Sequence, residues 1–137
     1  MTGWGRRGED EGFTLIELLV VVIVIGILAA IAVPVMLAQR QKAADASLKT
    51  DLRALAEAEE TYYTDHEGYL PLALTAQPVI IDAVPISPAN SVAVTVNPAG
   101  TAFCVLASSP KTPRPWVFVS SRGGQQPASV TSCPASF

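Results

Sequence analysis

A chain of 137 residues holds at most one modest domain once an apolar segment is set aside, which excludes a large multidomain enzyme. Half of it is hydrophobic, and a formal net charge of −3 is too small to demand a charged partner. Its 9 basic residues form no patch of the size that neutralising several phosphates requires.

Residues 1–12 are polar and glycine-rich, with Arg6 and Arg7 followed by Glu9, Asp10 and Glu11, and are too short to fold. Leu18 through Ala38 carries no charge. A helix of about 21 such residues crosses roughly 30 Å of hydrocarbon, so the segment reads as a membrane span. Glu17 is a lone acid at its edge, where a carboxylate costs a few kcal/mol and usually finds a partner. A secretory signal with a small-x-small site at Ala30-Ile31-Ala32 competes with this reading. It places further apolar sequence, Val33-Pro34-Val35-Met36-Leu37, where a signal turns polar. A plain single-span anchor leaves Glu17 unexplained.

Gly12-Phe13-Thr14-Leu15-Ile16-Glu17-Leu18 resembles the cleavage and methylation signature of type IV prepilins and the related pseudopilins. The resemblance implies that a membrane peptidase cuts after Gly12 and methylates the new amine on Phe13, with 1–12 as the leader. It also implies that Glu17 pairs with the amino-terminal amine of a neighbouring subunit, neutralising both charges as the subunit leaves the membrane. The partners so implied are further copies of the chain in a homopolymer, other pilins, the prepilin peptidase and methyltransferase, a pilus assembly platform, and membrane lipid before assembly. DNA enters only indirectly.

Past the span, Leu37, Ala44, Leu48, Leu52, Leu55 and Tyr62 recur at steps of three, four and seven, one stripe of a continuous helix. One helix from about Phe13 to Thr64 is expected, with a membrane and polymerisation half over 13–38 and an amphipathic half over 39–64. Gly26 loosens it and Pro34 removes a hydrogen bond, so a kink or unwound stretch is expected between them. The resemblance agrees, since many type IV pilins carry a Gly and a Pro at matching positions and lose helicity there in the fibre. Arg40, Lys42, Lys49 and Arg53 read as a solvated helix face, and the adjacent Glu59 and Glu60 as surface charges.

Residues 65–137 read as the head. Gly68, Pro71, Pro78, Pro85 and Pro88 make Asp65 to Asn90 an irregular connection. Ser91 to Val96 alternates with period two, Asn97-Pro98-Ala99-Gly100 is turn chemistry, and Thr101 to Ala107 resumes the β pattern, giving a hairpin. Trp116 to Ser120 supplies a third strand, ending at Gly123-Gly124. The expected class is α+β, a long N-terminal helix packed on a three-stranded antiparallel sheet, which is the general plan of a small pilin head.

Cys104 and Cys133 lie outside any C-x-x-C spacing and have no paired His, so a zinc site is not expected. A disulfide between them fits if the head lies outside the cytoplasm and would stabilise it by roughly 3–4 kcal/mol in the chain-entropy model; two unlinked thiols are the alternative. The single His66 sits in a polar helix-end segment without a partner for nucleophilic or metal chemistry. From Ala83 to Phe137 there is no Asp or Glu, so the calcium site that the resemblance suggests for some pseudopilins is not expected, nor is any other cofactor.

Counting Lys and Arg beside the span, Arg6 and Arg7 against Arg40, Lys42, Lys49 and Arg53, favours the head on the cytoplasmic side. The disulfide argument and the resemblance favour a cytoplasmic N-terminus and an external head, and these decide the expectation. The sequence therefore reads as a non-enzymatic subunit that polymerises through its N-terminal helix into a type IV pilus-like surface filament. The alternatives are a pseudopilin of a type II secretion-like or competence DNA-uptake apparatus, and a membrane-anchored binding module that never polymerises.

Overall fold

One helix, α1, runs from Leu15 to His66 through a Val- and Ile-rich stretch of modest propensity that holds Gly26 and Pro34, followed by the Ala-, Leu-, Lys- and Glu-rich residues that favour helix. The computed structural model describes residues 12–75 and 84–137; the leader through Glu11 and the middle of the Pro-rich connection lie outside the described residues. Two units are distinct, one through Ala38 and one from Gln39 to Phe137.

In the first unit every large apolar side chain from Phe13 to Leu37 is exposed. No residue of its helix is buried by the chain itself. The helix runs through Gly26 and Pro34 without interruption. Pro34 still leaves the Ala30 carbonyl without a helical donor.

In the second unit the amphipathic half of α1 meets five antiparallel strands among the described residues, β1 (Leu72–Thr75), β2 (Ser91–Val96), β3 (Phe103–Ser108), β4 (Trp116–Val119) and β5 (Gly124–Gln125). They form a meander in the order β1-β2-β3-β4-β5. The hairpin is in register from Ser91 opposite Ser108 to Val96 opposite Phe103. Its turn is closed by Asn97, whose Oδ1 accepts from the backbone N–H of Thr101 at 2.8 Å and of Ala102 at 3.1 Å.

The expected three-stranded sheet is thus corrected to five. β1 lies inside the stretch expected to be irregular, directly after Pro71, as an edge strand where proline is tolerated nearby. β5 contains only two residues and follows a 3₁₀ turn at Ser120–Arg122. Gly123 and Gly124 take φ of 76° and 90°, conformations that L side chains resist. A Cβ on Gly124 would also stand 3.1 Å from the Phe118 ring.

Leu48, Leu52 and Leu55 are fully buried against Val92, Val94, Phe103, Val105 and Ala107, with Ala44 and Tyr62 half-buried along the same stripe. Burying each leucine contributes roughly 1.5–3 kcal/mol. β3 is apolar at consecutive positions because both of its faces are covered. Phe103 and Val105 face α1, while Cys104 joins Val117, Val119, Val130 and Phe137 in a second cluster under the tail. Cys104 and Cys133 are disulfide-bonded across 5.9 Å between their Cα atoms, which pins that tail to the sheet.

Candidate functional site

Helix α1 begins where Thr14 and Glu17 complete each other. The Thr14 backbone N–H donates to Glu17 Oε2 at 2.9 Å, and the Thr14 hydroxyl donates to the same oxygen at 2.6 Å. In return Glu17 N–H donates to Thr14 Oγ1 at 3.3 Å. This is a capping box with Thr14 as N-cap and Glu17 three residues on, and it satisfies backbone donors that the first helical turn leaves open. The carboxylate also stands at the positive end of the helix dipole. The T-x-x-E spacing was present in the sequence as a helix-start signal; it is masked there by the weight that Glu17 carries as a lone acid before the span.

The cap sets the register of the junction. Gly12, Phe13 and Thr14 are outside the helix, and the Leu18 N–H to Thr14 C=O bond at 3.3 Å opens it. The Gly12-Phe13 peptide bond is therefore non-helical, with Phe13 84% exposed. Phe13, Ile16, Val20 and Val21 surround Glu17 with apolar surface. Gly12, Phe13 and Glu17 are accordingly brought together in one helix start, while Gly26 and Pro34 lie further along the same helix. Nothing stands within 4 Å of a Cβ built on Gly26, so the isolated chain does not itself require glycine there.

Two acids in the second unit are buried, and one of them departs from expectation. Glu59, expected at the surface, is fully buried; its Oε2 accepts the Leu70 N–H at 2.9 Å and its Oε1 has no hydrogen-bond partner among the described residues. Burial pushes its carboxyl above the usual carboxylate range, the Leu70 bond opposes this, and the charge of Glu60 adds to it. Glu59 stands four residues after Leu55 on the buried stripe, which was the signal available. Asp51 is also buried, accepting from Ser87 N–H at 3.1 Å, Ser87 Oγ at 2.8 Å and Asn90 Nδ2 at 2.6 Å. It ties the end of the connection to α1. His66 is exposed and stacked on Tyr62 at 3.9 Å between ring centroids.

Residues 9–33 match the family profile described as the prokaryotic N-terminal methylation motif. The chain is 34% identical over 98 residues to the type IV wide pilus major component of Thermus thermophilus, an alignment that covers 71% of this chain and 72% of that protein. The chain belongs to the type IV pilin family. This pilin is also 41% identical over 61 residues to the type IV major pilin of Myxococcus xanthus, covering 44% of the chain and 28% of that protein. With the type II secretion system core protein G of Pseudomonas aeruginosa it shares 41% identity over 64 residues, 47% of the chain and 45% of that protein. It therefore spans less than half the length of these two relatives.

Proposed function

We propose that this pilin is a structural subunit of a type IV pilus-like filament. The observation that carries the reading is a helix whose large apolar side chains from Leu15 to Leu37 are all exposed, opened by a capping box at Thr14 and Glu17 next to an exposed Gly12-Phe13 bond. An exposed apolar surface of that extent must be covered, by lipid before assembly and by neighbouring helices afterwards.

In this account the chain enters the membrane with its N-terminus cytoplasmic and its disulfide-bonded head outside. A prepilin peptidase hydrolyses Gly12-Phe13 and the new Phe13 amine is methylated. While the subunit is surrounded by lipid, the Thr14 donors hold the Glu17 carboxylate and lower the cost of an acid at the hydrocarbon edge. At an assembly platform, with other pilins, the amine of a neighbouring Phe13 supplies the opposite charge. Glu17 then exchanges neutral donors for a charge-assisted partner, which fixes the stagger between successive helices. Pro34 and Gly26 bracket the segment that loses helicity when those helices pack.

Identity to the core protein G of a secretion system favours a second reading, a pseudopilin whose short filament acts inside a secretion or DNA-uptake apparatus. Electron microscopy of cells with and without the protein tests the first reading. Surface filaments that vanish with the protein and return on complementation are expected; their persistence in its absence would refute the role. Mass analysis of the mature N-terminus accompanies it, with a chain starting at Phe13 and bearing one added methyl group as the expected result. A start after Ala32 or an uncut Met1 would overturn the processing step.

A further inference from the structure

Along α1 in the second unit the cations stop at Arg53. Arg40, Lys42, Lys49 and Arg53 are interspersed with Asp45 and Asp51, and beyond Arg53 the helix carries Glu57, Glu59, Glu60 and Asp65 with no Lys or Arg. The β3–β4 loop lies beside Asp45 and Lys49. Trp116, which closes it, donates from Nε1 to Asp45 Oδ1 at 3.2 Å and lies under Lys49 Nζ at 4.1 Å from its ring centroid. The loop itself, Pro110-Lys111-Thr112-Pro113-Arg114-Pro115, adds two more cations.

That loop is stiff. Three prolines restrict its backbone, Thr112 N–H donates to the Ser109 carbonyl at 3.2 Å, and Thr112 Oγ1 donates to the Arg114 carbonyl at 3.1 Å. Arg114 lies with its guanidinium carbon 5.0 Å from the Trp116 centroid. Lys111 is exposed, and its ammonium has no hydrogen-bond or ion-pair partner among the described residues. A preordered loop loses little entropy on docking.

Further along α1 lies a concavity of opposite charge. Arg53, Ala56, Glu57, Glu60, Thr61 and Phe118 line a groove of about 400 Å³ with an apolar floor and an acidic rim. Its one cation, Arg53, is drawn toward Gln125, donating from Nη2 to Oε1 at 3.4 Å. Glu60 accepts from the Tyr69 hydroxyl at 3.3 Å, whereas the Glu57 carboxylate is exposed and unpartnered among the described residues. Arg122, a basic residue outside the loop, is occupied by the Ser136 carbonyl at 2.7 Å.

We infer that the Lys111–Arg114 loop of one copy seats in the Glu57–Glu60 groove of the next. The two features are complementary in charge and lie at different levels along α1, the loop beside Asp45 and Lys49 and the groove at Arg53 to Thr61. Such an interface is heterologous, joining unlike surfaces, and repeats without closing when the copies are displaced along a common axis. From Asp45 beside the loop to Glu57 in the groove is about 12 residues of helix, so the displacement along α1 is about 18 Å. The occupant is therefore a second copy of this chain, and the contact gives the head a share in setting the filament's stagger. The inference rests on the filament reading above.

A charge swap in the full-length protein, produced in its own cells, tests it. Lys111→Glu and Glu57→Lys should each lower filament yield about tenfold by placing like charges together, and the double variant should recover to within about threefold of wild type. Both positions are exposed, and an oxidised Cys104–Cys133 pair in each variant verifies the fold. In parallel, a benzophenone-bearing residue replacing Thr61 should cross-link, in sheared filaments, to residues 109–115 of another copy. Single variants that assemble normally, a double variant no better than the singles, or cross-links only to other proteins would each overturn the contact while leaving the filament reading intact. Absence of wild-type filaments would refute that reading and this inference with it.

Discussion

Replacing Thr14 with Val keeps the shape and the backbone N–H but deletes the hydroxyl that makes two of the three contacts between Thr14 and Glu17. Loss of a Thr N-cap costs about 1 kcal/mol, within a range of roughly 0.5–2. The hydroxyl also donates to a charged oxygen at 2.6 Å, so the upper half of that range is expected where lipid replaces water. One kcal/mol is about a fivefold change in the population of an opened first turn. Amide hydrogen exchange of the uncut protein in detergent micelles reads this directly, because Glu17 N–H is the donor that Thr14 Oγ1 accepts. Its protection should fall about fivefold or more in Thr14→Val and be largely retained in Thr14→Ser, which keeps the oxygen. Equal protection in Thr14→Val and wild type would refute the capping box, and equal loss in Thr14→Ser would show that the hydroxyl is not its cause.

Three further outcomes concern the head. Leu52 is fully buried between α1 and the sheet, so Leu52→Ala should lower the stability of the head by about 2–5 kcal/mol in thermal or denaturant unfolding, and a loss below about 1 would contradict the core described above. Glu59 holds its proton more tightly folded than unfolded, so its contribution is present below the unfolded value and is lost as pH rises through the raised folded value; stability of Glu59→Gln should decline less with rising pH across that interval, and parallel pH profiles would refute the assignment. Thiol labelling of the denatured, non-reduced protein should modify neither Cys104 nor Cys133, whereas full labelling of both would return the head to a reducing compartment.

The features legible in the sequence are those with a long or repeated signal. The uncharged run to Ala38, the leucine stripe at three and four residue steps, and the alternation of β2 around an Asn-Pro-Ala-Gly turn each bury or expose a face by periodicity alone. Short edge elements escaped because nothing local favours them. β1 is four residues beside a proline, and β5 is Gly-Gln, a pair that forms a strand only because Gly123 and Gly124 turn the chain back onto Phe118 and Val119. Glu59 was misplaced because its charge outweighed its position on the buried stripe, although its neighbour Leu70 supplies one hydrogen bond from a segment eleven residues later. In the candidate site the residues Gly12, Phe13 and Glu17 were readable as chemistry at a polar–apolar boundary. The partnership of Thr14 with Glu17 needed the helix to start at Leu15, a boundary that the continuous apolar pattern does not mark.

The central claim is that Glu17 acts as a charge in assembly and not only as a cap. Counting filaments by electron microscopy in cells carrying Glu17→Gln tests it most directly, because Gln keeps the size and can still accept from Thr14 while it lacks the charge for a neighbouring Phe13 amine. The account predicts that the variant reaches the membrane, is cut after Gly12, and forms few or no filaments. Filaments at the wild-type level from that variant would contradict it.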